Sequence, residues 1–156
     1  MLDISNLIYN ITYTLNRTTF SIQEIQNILF LIDWRAALSE KPSISNLEWE
    51  IGTDGAYSKN FQDKIKSYTK LFSFEDGDRI KINPQQSPST FIIIDWQKNI
   101  MDFTLSKIQN LNKQDFDNLV KSLFPMKLEK FAPINLSSIA KDYLSSGVPI
   151  QKIKFD

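Results

Sequence analysis

SIQEIQNILFLIDWRAAL, residues 21–38, is the stretch that decides the fold. Ser21 followed by Glu24 is a capping box, and Phe20 before it is placed to act as a hydrophobic staple, so a helix opens here. Ile22, Ile25, Ile28, Leu29 and Ile32 fall on one face at helical spacing. Phe30 and Leu31 widen that stripe, which predicts a central helix buried nearly all round. It runs through Asp33-Trp34-Arg35-Ala36-Ala37-Leu38 and stops before Pro42.

Upstream, Ile4, Leu7, Ile8, Ile11 and Leu15 give an amphipathic helix over Leu2 to Leu15, with Thr12, Thr18 and Thr19 weakening its end. Downstream, Ile44 to Ile51 alternates loosely, with Leu47, Trp49 and Ile51 on one side, and reads as a short strand. Gly52 to Tyr57 is a turn. Ser58 caps a third helix in which Phe61, Ile65, Tyr68 and Phe72 share a face. A strand is expected at Arg79–Ile82, and the Pro- and Ser-rich Asn83–Thr90 is a loop and the best candidate for a mobile segment. Phe91–Ile94 reads equally as strand or helix entry. From Asp95 the pattern is helical through Trp96, Ile100, Phe103, Leu105 and Ile108; Asn112 caps a further helix that Pro125 ends. A last helix from Asn135 closes at Gly147, and Val148, Ile150, Ile153 and Phe155 alternate as an edge strand would. The expected fold is α+β: a predominantly α-helical single domain, residues 1–156, with a small β-sheet of short strands.

Composition narrows the function. A hydrophobic fraction of 42% with 11 Phe, 5 Tyr and 3 Trp supplies a core. Eighteen basic and eighteen acidic residues cancel, which argues against nucleic acid as the main partner, since phosphate neutralisation requires a basic excess. No apolar run approaches the length of a membrane span, and neither a secretory leader nor a disulfide framework is visible, so the expectation is a cytoplasmic chain with no membrane association.

The chain has no His and no Cys. That removes the usual general base, the Ser-His-Asp triad, thiol nucleophiles and most transition-metal ligands. Its 4 glycines form neither a dinucleotide fingerprint nor a P-loop. Carboxylate chemistry, a Ser–Lys pair or an oxygen-ligated cation survive. The densest acidic cluster, Glu75-Asp76-Gly77-Asp78, lacks the ordered spacing of a calcium loop, and Asp-Gly is a favoured turn pair. No catalytic residue, metal or cofactor is expected.

Taken in order, these elements resemble the Panacea domain, the SocA-like antitoxin domain of bacterial and phage toxin–antitoxin loci. Residues 25–38, ending in Asp33-Trp34-Arg35, are similar to the family's helix that in one branch continues into "DWR". Leu47-Glu48-Trp49 followed by Gly55-Ala56-Tyr57 sits where members place a large residue and then Gly-Pro-Val or Gly-Pro-Tyr. Met101 to Pro125 matches the paired C-terminal helices in pattern. The chain departs from the family in carrying Ala56 for the proline, Asn27 for a basic residue, and no C-terminal histidine. The resemblance implies a non-catalytic antitoxin that binds and blocks a cognate toxin, encoded by the adjacent gene. Other readings of the chain are a phage or mobile-element protein that inhibits a host defence factor, a carboxylate- or metal-dependent enzyme, and a nucleic-acid regulator.

Six residues are candidates for the binding surface or its motif. Trp34 and Arg35 form an interface anchor, or else Trp34 closes the core while Arg35 pairs with Asp33 or Glu40. Trp49 and Tyr57 flank the Gly turn and either pack the sheet on the helices or touch the partner. Gly55 serves a backbone need, a positive φ or a close approach. Trp96 is either core or an exposed adhesive patch.

Overall fold

The computed structural model describes residues 3–85, 93–153 and 155. Its fold is α+β and mainly helical, as the periodicity predicts. The first helix, α1 (Ile4–Leu15), starts at Asp3, whose side chain accepts from Ser5 N at 3.0 Å, and ends on Asn16 in the left-handed region. A three-residue strand, β1 (Thr19–Ser21), leads directly into α2 (Ile22–Leu38). Then come β2 (Trp49–Ile51), β3 (Ala56–Tyr57), α3 (Lys59–Lys66), β4 (Phe72–Glu75), β5 (Arg79–Ile82), α4 (Asp95–Ile108), α5 (Lys113–Ser122), a 3-10 turn (Phe124–Lys127), β6 (Pro133–Ile134) and α6 (Leu136–Ser145).

The strands form two small antiparallel sheets where one was expected, in the orders β1-β5-β4 and β3-β2-β6. In the first sheet Phe20 stands opposite Ile80, and both are fully buried. This pairing changes the capping box. Ser21 Oγ accepts from Glu24 N at 3.0 Å as predicted. The Glu24 carboxylate does not reach back; it turns outward to Arg17 at 2.8 and 3.0 Å, while Ser21 itself is held in register with Arg79.

Other differences have similar causes. The third helix stops at Lys66, so Tyr68 lies beyond it and Phe72 opens β4. Asp76 and Gly77 both take positive φ in the β4–β5 turn, where Asp-Gly is favoured. The strand expected over Ile44–Ile51 is confined to Trp49–Ile51, though Ile44 and Leu47 are buried. The tail forms no strand among the described residues; Pro133–Ile134 takes the place beside β2, and Ile150, Ile153 and Phe155 pack on the core as irregular chain. Of the Asn83–Thr90 loop and the Phe91–Ile94 stretch, residues 86–92 lie outside the described residues.

α2 is the axis of the molecule. Thirteen of its seventeen residues are buried, and it packs against α6, α4 and both β1 and β3. Fully burying each large aliphatic or aromatic side chain contributes about 1.5–3 kcal/mol, so this helix carries a large share of the core. Its fully buried polar residues, Gln26, Asn27 and Asp33, are hydrogen-bonded. Asn27 Oδ1 accepts from Ala56 N at 3.0 Å, Gln26 Oε1 accepts from Ser58 N at 3.0 Å, and Gln23 Nε2 donates to Ala56 O at 2.8 Å. Together they fasten β3 and the start of α3 to the central helix.

Candidate functional site

From Ile25 to Leu38 every residue of α2 is buried except Arg35. Two positions earlier, Asp33 is 1% exposed and its carboxylate is fully used. Oδ1 accepts from Ile44 N at 2.9 Å and Ser45 N at 3.1 Å; Oδ2 accepts from Trp49 Nε1 at 2.9 Å and from Ser45 Oγ. An ionised carboxylate offers about four lone-pair directions, and here four donors meet them. The pairing of Arg35 with Asp33 or Glu40 considered from the sequence is therefore corrected, because Asp33 is committed to the α2–β2 connection and no ion pair joins Arg35 to either acid.

Arg35 instead lies on a ring. Its guanidinium carbon is 4.5 Å from the centroid of Phe103 on α4. Nε and Nη2 are sealed from solvent and have no hydrogen-bond partner; Nη1 is the one guanidinium nitrogen left at the surface. Desolvation pushes the group below its ordinary value, yet a guanidinium stays charged in proteins. The site thus holds a partly desolvated positive charge whose hydrogen-bonding capacity is unspent.

Its surroundings extend along α4. Lys107 Nζ also approaches Phe103, at 5.2 Å from the centroid. Two turns earlier, Lys41 Nζ lies 5.7 Å from the Trp96 ring and 5.1 Å from the Phe155 ring. Trp96 and Phe103 are seven residues apart and therefore share a helical face. Both are half-buried, at the rim of the face that buries Ile100, Met101, Thr104, Leu105 and Ile108. None of Arg35, Lys41 and Lys107 forms a salt bridge among the described residues.

The remaining candidates separate from this face. Trp34 is 5% exposed and meets Tyr143 of α6 edge-on at 5.8 Å, so it joins the two helices inside the core. Trp49 is equally buried, edge-on to Phe30 at 5.3 Å. Tyr57, half-buried, pairs with Glu50 across the β2–β3 hairpin. Gly55 satisfies both needs read from the sequence: its φ is +136°, and a Cβ there would stand 2.5 Å from Asn27 Oδ1. Of the six residues, the structure brings Arg35 and Trp96 to the α4 face, places Trp34, Trp49 and Gly55 in the framework, and leaves Tyr57 half-buried on the β2–β3 hairpin.

Phe103, Lys107 and Lys41 were not singled out from the sequence. Phe103 is visible there as part of the α4 stripe, and its seven-residue spacing from Trp96, with Lys107 one turn on, is the signal that identifies the face. Two surface depressions lie elsewhere, about 220 Å³ beside Ile22, Ile65 and Phe74 and about 490 Å³ beside Lys70, Ser73 and Lys81. Neither contains an unpaired buried charge, and the α4 face is the better candidate on that ground. Glu75, Asp76 and Asp78 sit at the tip of the β4–β5 hairpin, and among the described residues no three acidic side chains converge as metal ligands would. No helix among the described residues is long and apolar enough to cross a membrane. Comparison of the chain with protein-family models, with curated proteins and with solved structures found no match.

Proposed function

We propose that the chain is a non-catalytic, cytoplasmic protein-binding module that neutralises a toxin encoded by the adjacent gene, by direct contact. The observation that carries this reading is Arg35, the one residue of α2 between Ile25 and Leu38 that is not buried, stacked on Phe103 with two sealed and unpartnered nitrogens. Arginine beside large aromatics is the chemistry in which protein–protein binding energy concentrates. Within the monomer, among the described residues, the Phe103 ring is the one group that meets this charge, and its unspent donors are open to a partner that can satisfy them. The likeness of residues 25–38 and 101–125 to the antitoxin family supplies the class of partner.

Co-expression with the neighbouring gene product is the test. The chain should relieve the growth arrest that product causes alone, and the two should co-purify as one stoichiometric complex. An adjacent product that is harmless, or whose toxicity persists at equal expression, overturns the proposal.

A further inference from the structure

Building on the reading of the chain as a protein-binding module, we infer that the α4 face formed by Arg35, Phe103, Lys107, Trp96 and Lys41 receives an extended acidic segment of the protein partner, with one carboxylate on Arg35 Nη1. Three observations lead there. The face carries three cations, and none forms an ion pair among the described residues. For Lys107 the reason lies in the helix itself: its i±3 and i±4 neighbours are Phe103, Thr104, Asn110 and Leu111. Lys98, on the same helix with Asp102 one turn away, does form its ion pair. The unpaired lysine thus belongs to the face and is not a general property of α4.

Second, the rings fix where the charge stands. Phe103 holds the Arg35 guanidinium at 4.5 Å and Lys107 at 5.2 Å. With Nε and Nη2 sealed, Nη1 is the open edge on which an acceptor can land. A carboxylate arriving there forms a charge-assisted hydrogen bond in a site already half dry, where such a bond is stronger than in water.

Third, the spacing selects the shape of the ligand. Trp96 with Lys41 and Phe103 with Arg35 are separated by seven residues of helix, about 10 Å along its axis. A compact anion such as a single phosphate cannot bridge that distance. An extended peptide can, since about three residues cover 10 Å, and apolar side chains between its acids would lie over the half-exposed rings. A polyphosphate strand is disfavoured by the balance of eighteen acids against eighteen bases in the chain.

The experiment uses the isotope-labelled full chain and three probes: a terminally blocked hexaglutamate peptide, the matching hexaglutamine peptide, and inorganic phosphate. Hexaglutamate should shift the Arg35 Nε–H and the Phe103 and Trp96 signals saturably, and hexaglutamine should not. Arg35→Gln should weaken hexaglutamate binding by about tenfold and Lys107→Gln by about two- to threefold, with the thermal midpoint of both variants unchanged or raised. Unmoved Arg35 signals, equal binding by Arg35→Gln, or phosphate binding as tightly as hexaglutamate would each overturn the inference. Toxin co-expression separates the two ideas. If the wild type relieves toxicity and Arg35→Gln relieves it equally, the acidic-segment inference falls and the antitoxin reading stands. If the wild type gives no relief while hexaglutamate still binds at Arg35, the antitoxin reading falls and the acidic site stands.

Discussion

Asp33 and Arg35 are two residues apart on the same helix and have opposite fates. Asp33 is buried with both carboxylate oxygens doubly bonded, to Ile44 N, Ser45 N, Ser45 Oγ and Trp49 Nε1. Arg35 is partly exposed, and its Nε and Nη2 are buried with no acceptor. A turn of 200° separates them around α2, so one charge points into the connection to β2 and the other toward α4. The contrast distinguishes a charge that holds the fold together from one that the fold leaves open. Satisfied buried charge is costly to break; a charge met only by a ring costs less to remove, and its unspent hydrogen bonds are left for binding.

Asp33→Ala should give the largest effect. It strands two backbone donors, a hydroxyl and an indole N–H in the interior, and breaking a buried charged network of this kind typically costs about 3–5 kcal/mol. Urea denaturation followed by fluorescence would read this as a large fall in midpoint. Ser45→Ala removes one of the four bonds and the acceptor of Leu47 N, and should cost about 1–2 kcal/mol. A loss below about 1 kcal/mol in Asp33→Ala would erase the difference between the two sites.

The Asp33 site also shows how far sequence could be read. α2 is legible because capping, periodicity and its stop before Pro42 all agree, and its near-complete burial follows from apolar residues on every side. The bonds of Asp33, and the one Asn27 accepts from Ala56 N, are not legible, because their donors lie 11–29 residues away and local pattern does not encode such distances. β1 and β6 are three and two residues long, too short for a two-residue period to appear; they exist through their partners β5 and β2. Gly55 and Trp96 were recognisable as special. Phe103 was recognisable only as one member of a stripe, since its role depends on Arg35 arriving from another helix.

Gly55→Ala extends the comparison to the other polar contact of α2. The added Cβ would stand 2.5 Å from Asn27 Oδ1 at a φ of +136°, so it costs both backbone strain and the bonds Asn27 makes to Ala56 N and Gln23 Nε2. About 3 kcal/mol is expected. Gly77→Ala is the control. Its φ is also positive, at +75°, but a Cβ there meets nothing within 4 Å, so only strain of about 1 kcal/mol remains. Equal losses at the two glycines would show that the Asn27 contact adds nothing beyond backbone conformation.

Arg35→Met inverts the sign. The methionine keeps an apolar stem against Phe103 and removes a desolvated charge that no acceptor meets. Stability should hold or rise, by at most about 1 kcal/mol, while toxin neutralisation falls. A thermal midpoint lowered by several degrees would mean that Arg35 supports the fold in the same way as Asp33.

The smallest effect tests whether burial, and not satisfaction alone, sets the size of these differences. Asp3 is another well-bonded carboxylate, accepting from the Tyr68 hydroxyl at 2.6 and 2.7 Å and from Ser5 N at 3.0 Å, but it lies at the surface. Burial tends to raise its pKa, and the bonds from Tyr68 and Ser5 outweigh this and hold it below its ordinary 3.8. Its stabilising contribution is therefore present above pH 3.8 and lost as pH falls through the depressed folded value. Tyr68 is raised above its ordinary 10.0, chiefly by its hydrogen bond to Asp3. Its contribution is complete below pH 10 and lost as pH rises through the folded value. Tyr68→Phe should flatten both limbs of the stability profile and cost less than about 1 kcal/mol near neutrality, because water screens an exposed pair. A loss matching that of Asp33→Ala would mean that the number of bonds, irrespective of burial, fixes what a charged side chain contributes to this fold.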